Sequence, residues 1–169
     1  MSDSDPIWAT TYQHKLIPPQ YLATHVADLR SEGQCIATIN GSFDILHAGH
    51  LHMIFAASLQ ADILIVALNS DASIKQYKSP SRPFITLEDR LQLIAALEFV
   101  DYVTWFEETD PCHLLSIICP DVHVNGAEYG ENCIEAETVK RGGGRLHIVP
   151  LIPGLSTTTL VQKIRAEGN

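Results

Sequence analysis

Two histidines, His47 and His50, stand three residues apart in the segment GSFDILHAGH, which spans residues 41–50. An apolar run precedes this segment and an amphipathic run follows it, so the pattern predicts a strand that passes into a helix near Gly49. At a helix start, both imidazoles would project beside backbone N–H groups that have no intrahelical partner. Two imidazole donors next to a helix N-terminus suit a developing negative charge on a phosphoryl group. The segment is therefore a candidate site for phosphoryl chemistry.

Composition limits the class of ligand. The chain has 169 residues, of which 46% are hydrophobic, and its 11 Lys and Arg against 20 Asp and Glu give a formal net charge of −9. This length and hydrophobic content predict a single domain with its own core. Because no broad basic surface is expected, nucleic acid and anionic membranes are not predicted as partners. A small anionic ligand can still be bound by a local cluster of donors.

Cysteine usage and the N-terminal segment predict the compartment. Cys35, Cys112, Cys119 and Cys133 form no C-x-x-C pair, which indicates free thiols in a reducing compartment. The first residues show neither the basic nor the apolar region of a signal peptide, and no apolar run approaches the roughly 18 residues needed to span a bilayer. We therefore expect a cytoplasmic protein.

Strand-like and helix-like patterns alternate along the chain from residue 35 onward. Strands are predicted at residues 35–40, 62–68, 102–105, 122–125 and 146–150, and helices at 18–30, 48–60, 87–99, 111–118, 135–141 and 157–166. Several strands are apolar on consecutive residues, as expected for parallel strands covered on both faces. The alternation predicts a single-domain α/β fold with a Rossmann-like, doubly wound parallel five-stranded sheet. Ligands bind such sheets at the carboxyl ends of the strands, where the histidine segment lies.

The segment GSFDILHAGH resembles the G-x-F-D-x-x-H-x-G-H signature of the nucleotidyltransferase superfamily. The likeness continues through NSDASIK, SRPFITLEDR, PDVHVNGAEY and STT. The order and spacing of these motifs are most similar to those of the adenylyltransferases of ADP-heptose synthesis. Several ordered motifs together are far more specific than H-x-G-H alone. We expect residues 1–34 to form an N-terminal arm, polar over residues 1–17, with a short helix, and residues 35–169 to form the nucleotidyltransferase domain.

The resemblance implies transfer of AMP from ATP to a sugar 1-phosphate, D-glycero-β-D-manno-heptose 1-phosphate, with release of pyrophosphate, as in lipopolysaccharide biosynthesis. His47 and His50 would be the catalytic residues that stabilise the transition state. Asp44 would orient the substrate or the histidines, although it could instead cap the turn after the first strand. Mg²⁺ would arrive with the triphosphate, so no dedicated metal site is expected. The resemblance also allows a homodimer, for which the sequence identifies no interface.

Further residues are implied as nucleotide or phosphate contacts. Residues 42–43 would line the phosphate path, residues 125–128 would border the base and ribose, and the helix start at 156–158 would hold the β- and γ-phosphates. Plain helix capping competes at 156–158, and ordinary surface charge competes at the Lys and Arg positions. The implied contacts are Ser42, Phe43, Gly49, Lys75, Arg90, Asn125, Gly126, Glu128, Ser156, Thr157 and Thr158.

Three other functions compete with this interpretation. A cytidylyltransferase for an alcohol phosphate such as glycerol 3-phosphate would use the same chemistry, and base choice depends largely on backbone contacts. A non-catalytic nucleotide-binding module would keep the fold without turnover, but the intact pair of His47 and His50 argues against it. An aminoacyl-tRNA synthetase fragment is disfavoured by the acidic charge and by the absence of a K-M-S-K-S motif. Isolated histidines such as His123 are predicted to be ordinary satisfied or solvated residues.

Overall fold

The structure, a computed structural model, describes residues 8–167. Its strands are β1 (Ile36–Gly41), β2 (Ile63–Asn69), β3 (Tyr102–Phe106), β4 (Val122–Gly126) and β5 (Arg145–Val149). They form one parallel sheet in the order β3-β2-β1-β4-β5. Each strand begins and ends within one residue of its predicted bounds, and the predicted doubly wound α/β fold is confirmed.

Helices connect the strands and cover both faces of the sheet. On one face, α3 (Ala48–Ser58) and α5 (Leu87–Ala95) pack against the strands. On the other face, the strands are covered by α2 (Leu22–Ser31), α6 (Cys112–Ile118) and α7 (Ala136–Arg141). No helix within residues 8–167 has the length and apolar character needed to cross a membrane. The helices are α1 (Trp8–Thr11), α2 (Leu22–Ser31), α3 (Ala48–Ser58), α4 (Asp71–Tyr77), α5 (Leu87–Ala95), α6 (Cys112–Ile118), α7 (Ala136–Arg141) and α8 (Thr157–Glu167).

The alternation of side chains along the strands builds two core layers. Ile39 and Val66, paired across β1 and β2, are buried in the layer beneath α3 and α5. Ile36 and Ile65 are buried in the opposite layer, beneath α2 and α6. Because successive residues of a strand point to opposite faces, a strand covered on both faces must be apolar at consecutive positions. This requirement explains why the strand bounds could be predicted so closely.

The start of α5 is capped by Thr86. The hydroxyl oxygen of Thr86 accepts a hydrogen bond from the backbone N–H of Asp89 at 3.3 Å, and the same hydroxyl donates to the Asp89 carboxylate at 2.8 Å. A complete capping box would require the Asp89 carboxylate to bind the backbone N–H of Thr86. Here the carboxylate binds the hydroxyl of Thr86 instead. The helix nevertheless begins at Leu87, as predicted.

Two stretches differ from the prediction. The described part of the predicted polar arm is not simply polar, because Tyr12 and Ile17 are buried in the core and Leu16 bridges to Val103 on β3. The first seven residues of the arm, and the last two of the predicted nucleotidyltransferase domain, lie outside the described residues. The sequence pattern also missed α4, a seven-residue helix capped by Ser70. Both stretches are too short to show a clear hydrophobic period.

His123 is the most deeply buried histidine of the sheet region. It lies on β4 with 0% exposure, and its Nδ1 is 2.8 Å from the hydroxyl oxygen of Thr38 on β1. Its Nδ1 therefore has a partner in the core, whereas its Nε2 is buried without one, so the predicted satisfied or solvated histidine is only half satisfied. Burial lowers the pKa of the imidazole to about 4.

This burial predicts a loss of stability in acid. The unfolded chain takes up a proton near the ordinary pKa of 6.5, whereas folded His123 does so only near 4. The free energy of unfolding should therefore decrease as the pH falls from 6.5 to 4, by roughly 2–3 kcal/mol from this residue. Urea unfolding of the wild type and of His123→Leu at pH 7 and pH 4.5 measures the effect.

The comparison uses the change between the two pH values, so any constant cost of leaving Thr38 without its partner cancels. His113→Leu is the matched control, because His113 is exposed and should leave the pH dependence of the wild type unchanged. Equal pH dependence in wild type and His123→Leu would show that the burial argument is wrong.

Candidate active site

A cavity of about 430 Å³ opens at the carboxyl ends of the strands. It lies where the neighbouring strands β1 and β4 mark the reversal of strand order, and such switch points bind ligands in open α/β sheets. We call it the larger cavity. It is lined by Asn40, Gly41, Ser42, Asn69, Tyr77, Lys78, Thr109, Asp110, Pro111, Asn125, Tyr129, Cys133, Ile134 and Glu135.

The two histidines predicted to be catalytic lie together at the start of α3. Their rings are stacked, with centroids 3.8 Å apart and an interplanar angle of 22°. His47 caps the helix, because its Nδ1 accepts a hydrogen bond from the backbone N–H of Gly49 at 3.1 Å. Since Nδ1 is the acceptor, the proton of neutral His47 is on Nε2. The cap thus sets Nε2–H as the donor available to a ligand.

Burial keeps both imidazoles neutral at physiological pH. It lowers the pKa of His47 and lowers the pKa of His50 to about 4. For His50, the neighbouring His47 and Lys78 add to this decrease, whereas contact with the backbone of Ile45 opposes it. A negative charge placed beside the rings would raise their pKa again. The pair is therefore poised to respond to a developing phosphoryl charge.

A second cavity, of about 170 Å³, joins the histidines to the start of α8. We call it the smaller cavity. Gly49 lets the two helix starts approach, since a Cβ at this position would lie 3.2 Å from Cβ of Leu155 and 3.0 Å from the His47 ring. The smaller cavity is lined by His47, Gly49, His50, Met53, Glu128, Leu151, Ile152, Leu155, Ser156 and Thr157.

The start of α8 combines the two interpretations given for residues 156–158. The hydroxyl oxygen of Ser156 accepts a hydrogen bond from the backbone N–H of Thr159 at 3.1 Å, so Ser156 caps the helix. Ser156 and Thr157 also line the smaller cavity beside the histidines, whereas Thr158 is exposed and lines neither cavity. Backbone N–H groups at such a helix start form an anion site. The capping bond is one that a phosphate oxygen can replace.

The turn after β1 packs directly on the histidine pair. Phe43 has φ of 44°, a left-handed conformation that is uncommon for residues other than glycine. Its buried ring meets the ring of His50 edge-on, with centroids 5.3 Å apart. Backbone strain of this kind clusters at functional turns. Ser42, the preceding residue, lines the larger cavity, so the turn links that cavity to the histidines.

Lys78 is a site residue that the sequence analysis missed. Its ammonium group donates a hydrogen bond to the hydroxyl of Ser42 at 2.7 Å and is close enough to lower the pKa of His50. Lys75, the predicted phosphate contact, is exposed on α4 and lines neither cavity. The only sequence signal for Lys78 was its place in a Pro- and Ser-rich crossover loop beside the quoted motifs.

The structure contradicts both roles predicted for Arg90. Both the phosphate contact and the surface charge expected for it require access, yet its side chain is 0% exposed. Its guanidinium donates to the backbone carbonyls of Ser42 at 2.7 Å and of Asn69 at 2.9 Å, and to the carboxylate of Asp71 at 2.7 Å. Arg90 therefore ties together the carboxyl ends of β1 and β2 and acts as a positioning residue.

Asp44 also positions its neighbours. Its side chain is 1% exposed, and its Oδ1 accepts hydrogen bonds from the backbone N–H groups of Phe84 at 2.7 Å and Ile85 at 3.0 Å. Its Oδ2 lies 3.0 Å from Nε of Arg82. These contacts fix the crossover loop that contains Lys78 to the turn after β1.

The loop after β4 is shared between the two cavities. Asn125 is 5% exposed and lines the larger cavity, where its amide donates to Sγ of Cys133 at 3.2 Å. Glu128 lines the smaller cavity beside the histidines. Its carboxylate lies so close to Gly126 that a Cβ there would be 2.1 Å from Oε2. A side chain at position 126 would therefore require the exposed Glu128 side chain to move. All three residues lie at the edge predicted to border the nucleotide.

Metal coordination by the protein alone has no support among residues 8–167. No group of three or more His, Cys, Asp or Glu side chains in that range is placed to hold a metal ion. A divalent cation at this site would need ligand oxygens from elsewhere, such as a triphosphate.

Comparison with known proteins finds relatives over most of the chain. A family model described as cytidylyltransferase-like matches residues 38–152. The bifunctional protein HldE of Mesorhizobium japonicum is 40% identical over 158 residues, which cover 93% of this chain and 32% of that protein. The bifunctional protein HldE of Hahella chejuensis is 41% identical over 149 residues, which cover 88% and 31% respectively. The chain thus spans about a third of the length of these curated relatives.

Two solved structures share the fold. The lipopolysaccharide core biosynthesis protein from Thermoplasma volcanium has a TM-score of 0.57 and 27% sequence identity, covering 71% of this chain and 98% of that chain. Pantoate-beta-alanine ligase from Francisella tularensis, solved with beta-gamma ATP and beta-alanine, has a TM-score of 0.60 and 15% identity, covering 91% and 78% respectively. The family model matches most of the residues that build the sheet and the histidine site, and the chain belongs to the cytidylyltransferase-like family.

Proposed function

We propose that this protein is an adenylyltransferase that joins AMP from ATP to heptose 1-phosphate, giving ADP-heptose and pyrophosphate. The observation that carries the proposal is the stacked pair of His47 and His50, which faces the start of α8 across the smaller cavity. The pair also lies beside Lys78 and the turn that opens into the larger cavity. This arrangement provides donors for a nucleotide triphosphate and for a second phosphate at one point.

The two cavities suit two substrates. The triphosphate of ATP lies along the smaller cavity, with its β- and γ-phosphates at the backbone N–H groups of Ser156 and Thr157 and its α-phosphate at His47 and His50. The acceptor occupies the larger cavity, with its phosphate toward Lys78. Asn125 lines the same cavity, so in this arrangement it contacts the acceptor rather than the base and ribose that the resemblance implied for it. Mg²⁺ bound to the triphosphate enters with the nucleotide as part of the substrate.

The reaction needs charge stabilisation more than proton transfer. An ionised oxygen of the acceptor phosphate attacks the α-phosphorus of ATP in line. A new P–O bond forms, the bond from the α-phosphorus to the bridging oxygen breaks, and pyrophosphate leaves. Because the attacking oxygen is already ionised, no general base is required. The imidazole N–H groups bind the charge that develops on the α-phosphoryl oxygens, an effect of about 3–4 kcal/mol for one well-placed donor.

The heptose assignment depends on likeness to relatives. The order and spacing of the sequence motifs are most similar to those of the adenylyltransferases of ADP-heptose synthesis. The relatives named bifunctional protein HldE, at about 40% identity, and the lipopolysaccharide core biosynthesis protein, at 27% identity, agree with this assignment. A cytoplasmic location and a homodimer stay predictions from the sequence.

Pyrophosphate release tests the proposal. Purified protein with Mg²⁺ is assayed with ATP, CTP, GTP and UTP, each crossed with heptose 1-phosphate, other sugar 1-phosphates and glycerol 3-phosphate. We expect release with ATP and heptose 1-phosphate. Release only with CTP and glycerol 3-phosphate would keep the chemistry and contradict the substrates. Nucleotide binding without release for any pair would instead identify a non-catalytic module.

Lys78 should contribute to turnover and Lys75 should not. Lys78→Met removes a charge-assisted donor that lies beside both Ser42 and His50, so we expect kcat/KM for the acceptor to fall about 10- to 100-fold. Lys75→Met is the matched control, because Lys75 is exposed on α4 outside both cavities. Steady-state kinetics of the two variants makes the comparison. Equal activity of both variants would contradict the role given to Lys78.

A further inference from the structure

The larger cavity contains polar groups that the phosphoryl chemistry does not use. Glu135 lines this cavity and is 6% exposed, and its Oε2 is buried without a hydrogen-bond partner. Asn40, on strand β1, also lines it, and its Oδ1 is buried without a partner. Two residues that line one cavity therefore each carry a buried acceptor oxygen without a hydrogen-bond partner.

Neither oxygen has a hydrogen-bond partner in the local structure, although the Glu135 carboxylate lies close to the thiol of Cys133. Glu135 stands at the N-cap position of α7, yet its side chain makes no capping hydrogen bond. Asn40 lies in β1, one residue before the strand ends. A buried polar atom without a partner lowers the stability of a folded protein, so nearly all such atoms are paired. Atoms of this kind at a cavity wall are explained when a ligand supplies the missing donors.

The charge of the surrounding groups indicates the chemistry of that ligand. Burial and the adjacent Glu135 carboxylate raise the pKa of the Cys133 thiol. Burial also raises the pKa of the Cys112 thiol, and Asp110 and Glu135, which both line the cavity, add to that increase. This part of the wall is therefore acidic and repels phosphate. Lys78, beside Ser42 and His50, marks the cationic part of the same cavity. A ligand with a phosphate at one end and neutral hydrogen-bond donors at the other matches both parts.

Two partly exposed tyrosines also lie at the larger cavity. Tyr77 and Tyr129 line the same cavity and are 44% and 62% exposed. Amphipathic rings of this kind pack against the C–H groups of a ligand while their hydroxyls stay hydrated. Carboxylate and amide acceptors below partly exposed rings suit a compound that carries several hydroxyl groups on a carbon frame.

We propose that Glu135 and Asn40 accept hydrogen bonds from hydroxyl groups of the acceptor, and so select a polyhydroxylated sugar phosphate over smaller alcohol phosphates. This inference rests on the proposed function and adds to it the residues that determine acceptor specificity. A pocket that buries polar acceptors discriminates strongly against analogues lacking the matching hydroxyl, because the buried acceptors are then left unpaired.

Variants at position 135 test the inference from the protein side. For Glu135→Ala we expect KM for heptose 1-phosphate to rise about tenfold or more, with kcat and KM for ATP nearly unchanged. Glu135→Gln, which keeps the shape, should show a smaller rise. The matched control is Glu137→Gln, since Glu137 is an exposed residue of the same helix paired with Arg141. Thermal unfolding separates this role from a structural one. A purely structural role would lower Tm and leave the ratio of KM for heptose 1-phosphate to KM for ATP unchanged.

Analogues of the acceptor test it from the substrate side and do not depend on a stable alanine variant. Heptose 1-phosphates that each lack one hydroxyl are compared on the wild type and on Glu135→Gln. The analogue without the recognised hydroxyl should lose affinity on the wild type, and the loss should shrink in the variant, as in a double-mutant cycle.

The outcomes distinguish the two proposals. If the wild type uses heptose 1-phosphate but no variant changes its KM and no analogue shows a variant-dependent loss, this inference is wrong and the proposed function stands. If the wild type instead uses only glycerol 3-phosphate, the heptose assignment and this inference are both wrong.

Discussion

Replacing His50 with alanine is expected to lower kcat by about 10²- to 10³-fold while the protein remains folded. The lost imidazole is one of two stacked rings between the turn after β1 and the start of α8. Its burial, which holds its pKa at about 4, shows that the site is partly removed from water. A donor in such a site stabilises charge far more than a donor in water does.

The kinetic signature should distinguish this role from substrate binding. A donor that acts mainly on the transition state changes kcat and kcat/KM together and leaves KM for ATP nearly constant. Initial rates of pyrophosphate release at varied ATP and fixed, saturating acceptor measure both constants. Thermal unfolding of the same sample shows whether the variant is folded.

His52→Ala provides the matched control for this experiment. His52 lies on the same helix, two residues further on, but is exposed and lines neither cavity. The substitution His52→Ala makes the same change in helix propensity as His50→Ala but removes no donor from the site. Wild-type turnover in folded His50→Ala, or equal losses in the two variants, would contradict the catalytic assignment.

The parts of this site that could be predicted from sequence depend on regular structure. The sheet is covered on both faces, so its strands appear as continuous apolar runs and their ends are sharp. In a parallel sheet these ends meet at one edge, which placed His47 and His50 at the ligand-binding edge before any contact was known, whereas the helix start at 156–158 was implied by the family resemblance. The structure brings these segments to one small cavity.

The residues that were misjudged depend on tertiary contacts. Lys75 and Lys78 are three residues apart, and only the unpredicted end of α4 at Tyr77 decides that Lys78 turns back to Ser42. Arg90 is a stronger example, because arginine is almost never fully buried and its expected position was therefore the surface. Its partners include backbone carbonyls, and no residue type in the sequence signals such a partner.

Arg90 is expected to contribute strongly to the free energy of unfolding. Its guanidinium makes four hydrogen bonds, to the carbonyls of Ile85, Ser42 and Asn69 and to the carboxylate of Asp71. The carbonyls of Ser42 and Asn69 belong to the ends of neighbouring strands, so one planar side chain fixes the separation of two walls of the larger cavity. Lysine offers a single point charge and cannot reproduce this fork.

We expect Arg90→Met to lower the free energy of unfolding by roughly 3 kcal/mol, since it leaves buried acceptors without a donor. Urea unfolding at pH 7 measures the loss, and Arg90→Lys should recover only part of it. The matched control is Arg141→Met, whose ion pair with Glu137 is exposed on both sides and should contribute almost nothing. Similar stability of Arg90→Met and Arg141→Met would mean that the strand ends are held by the sheet alone. Under conditions in which Arg90→Met is folded, its kcat/KM should still fall, because the turn that carries Ser42 and Phe43 loses its anchor beside the histidines.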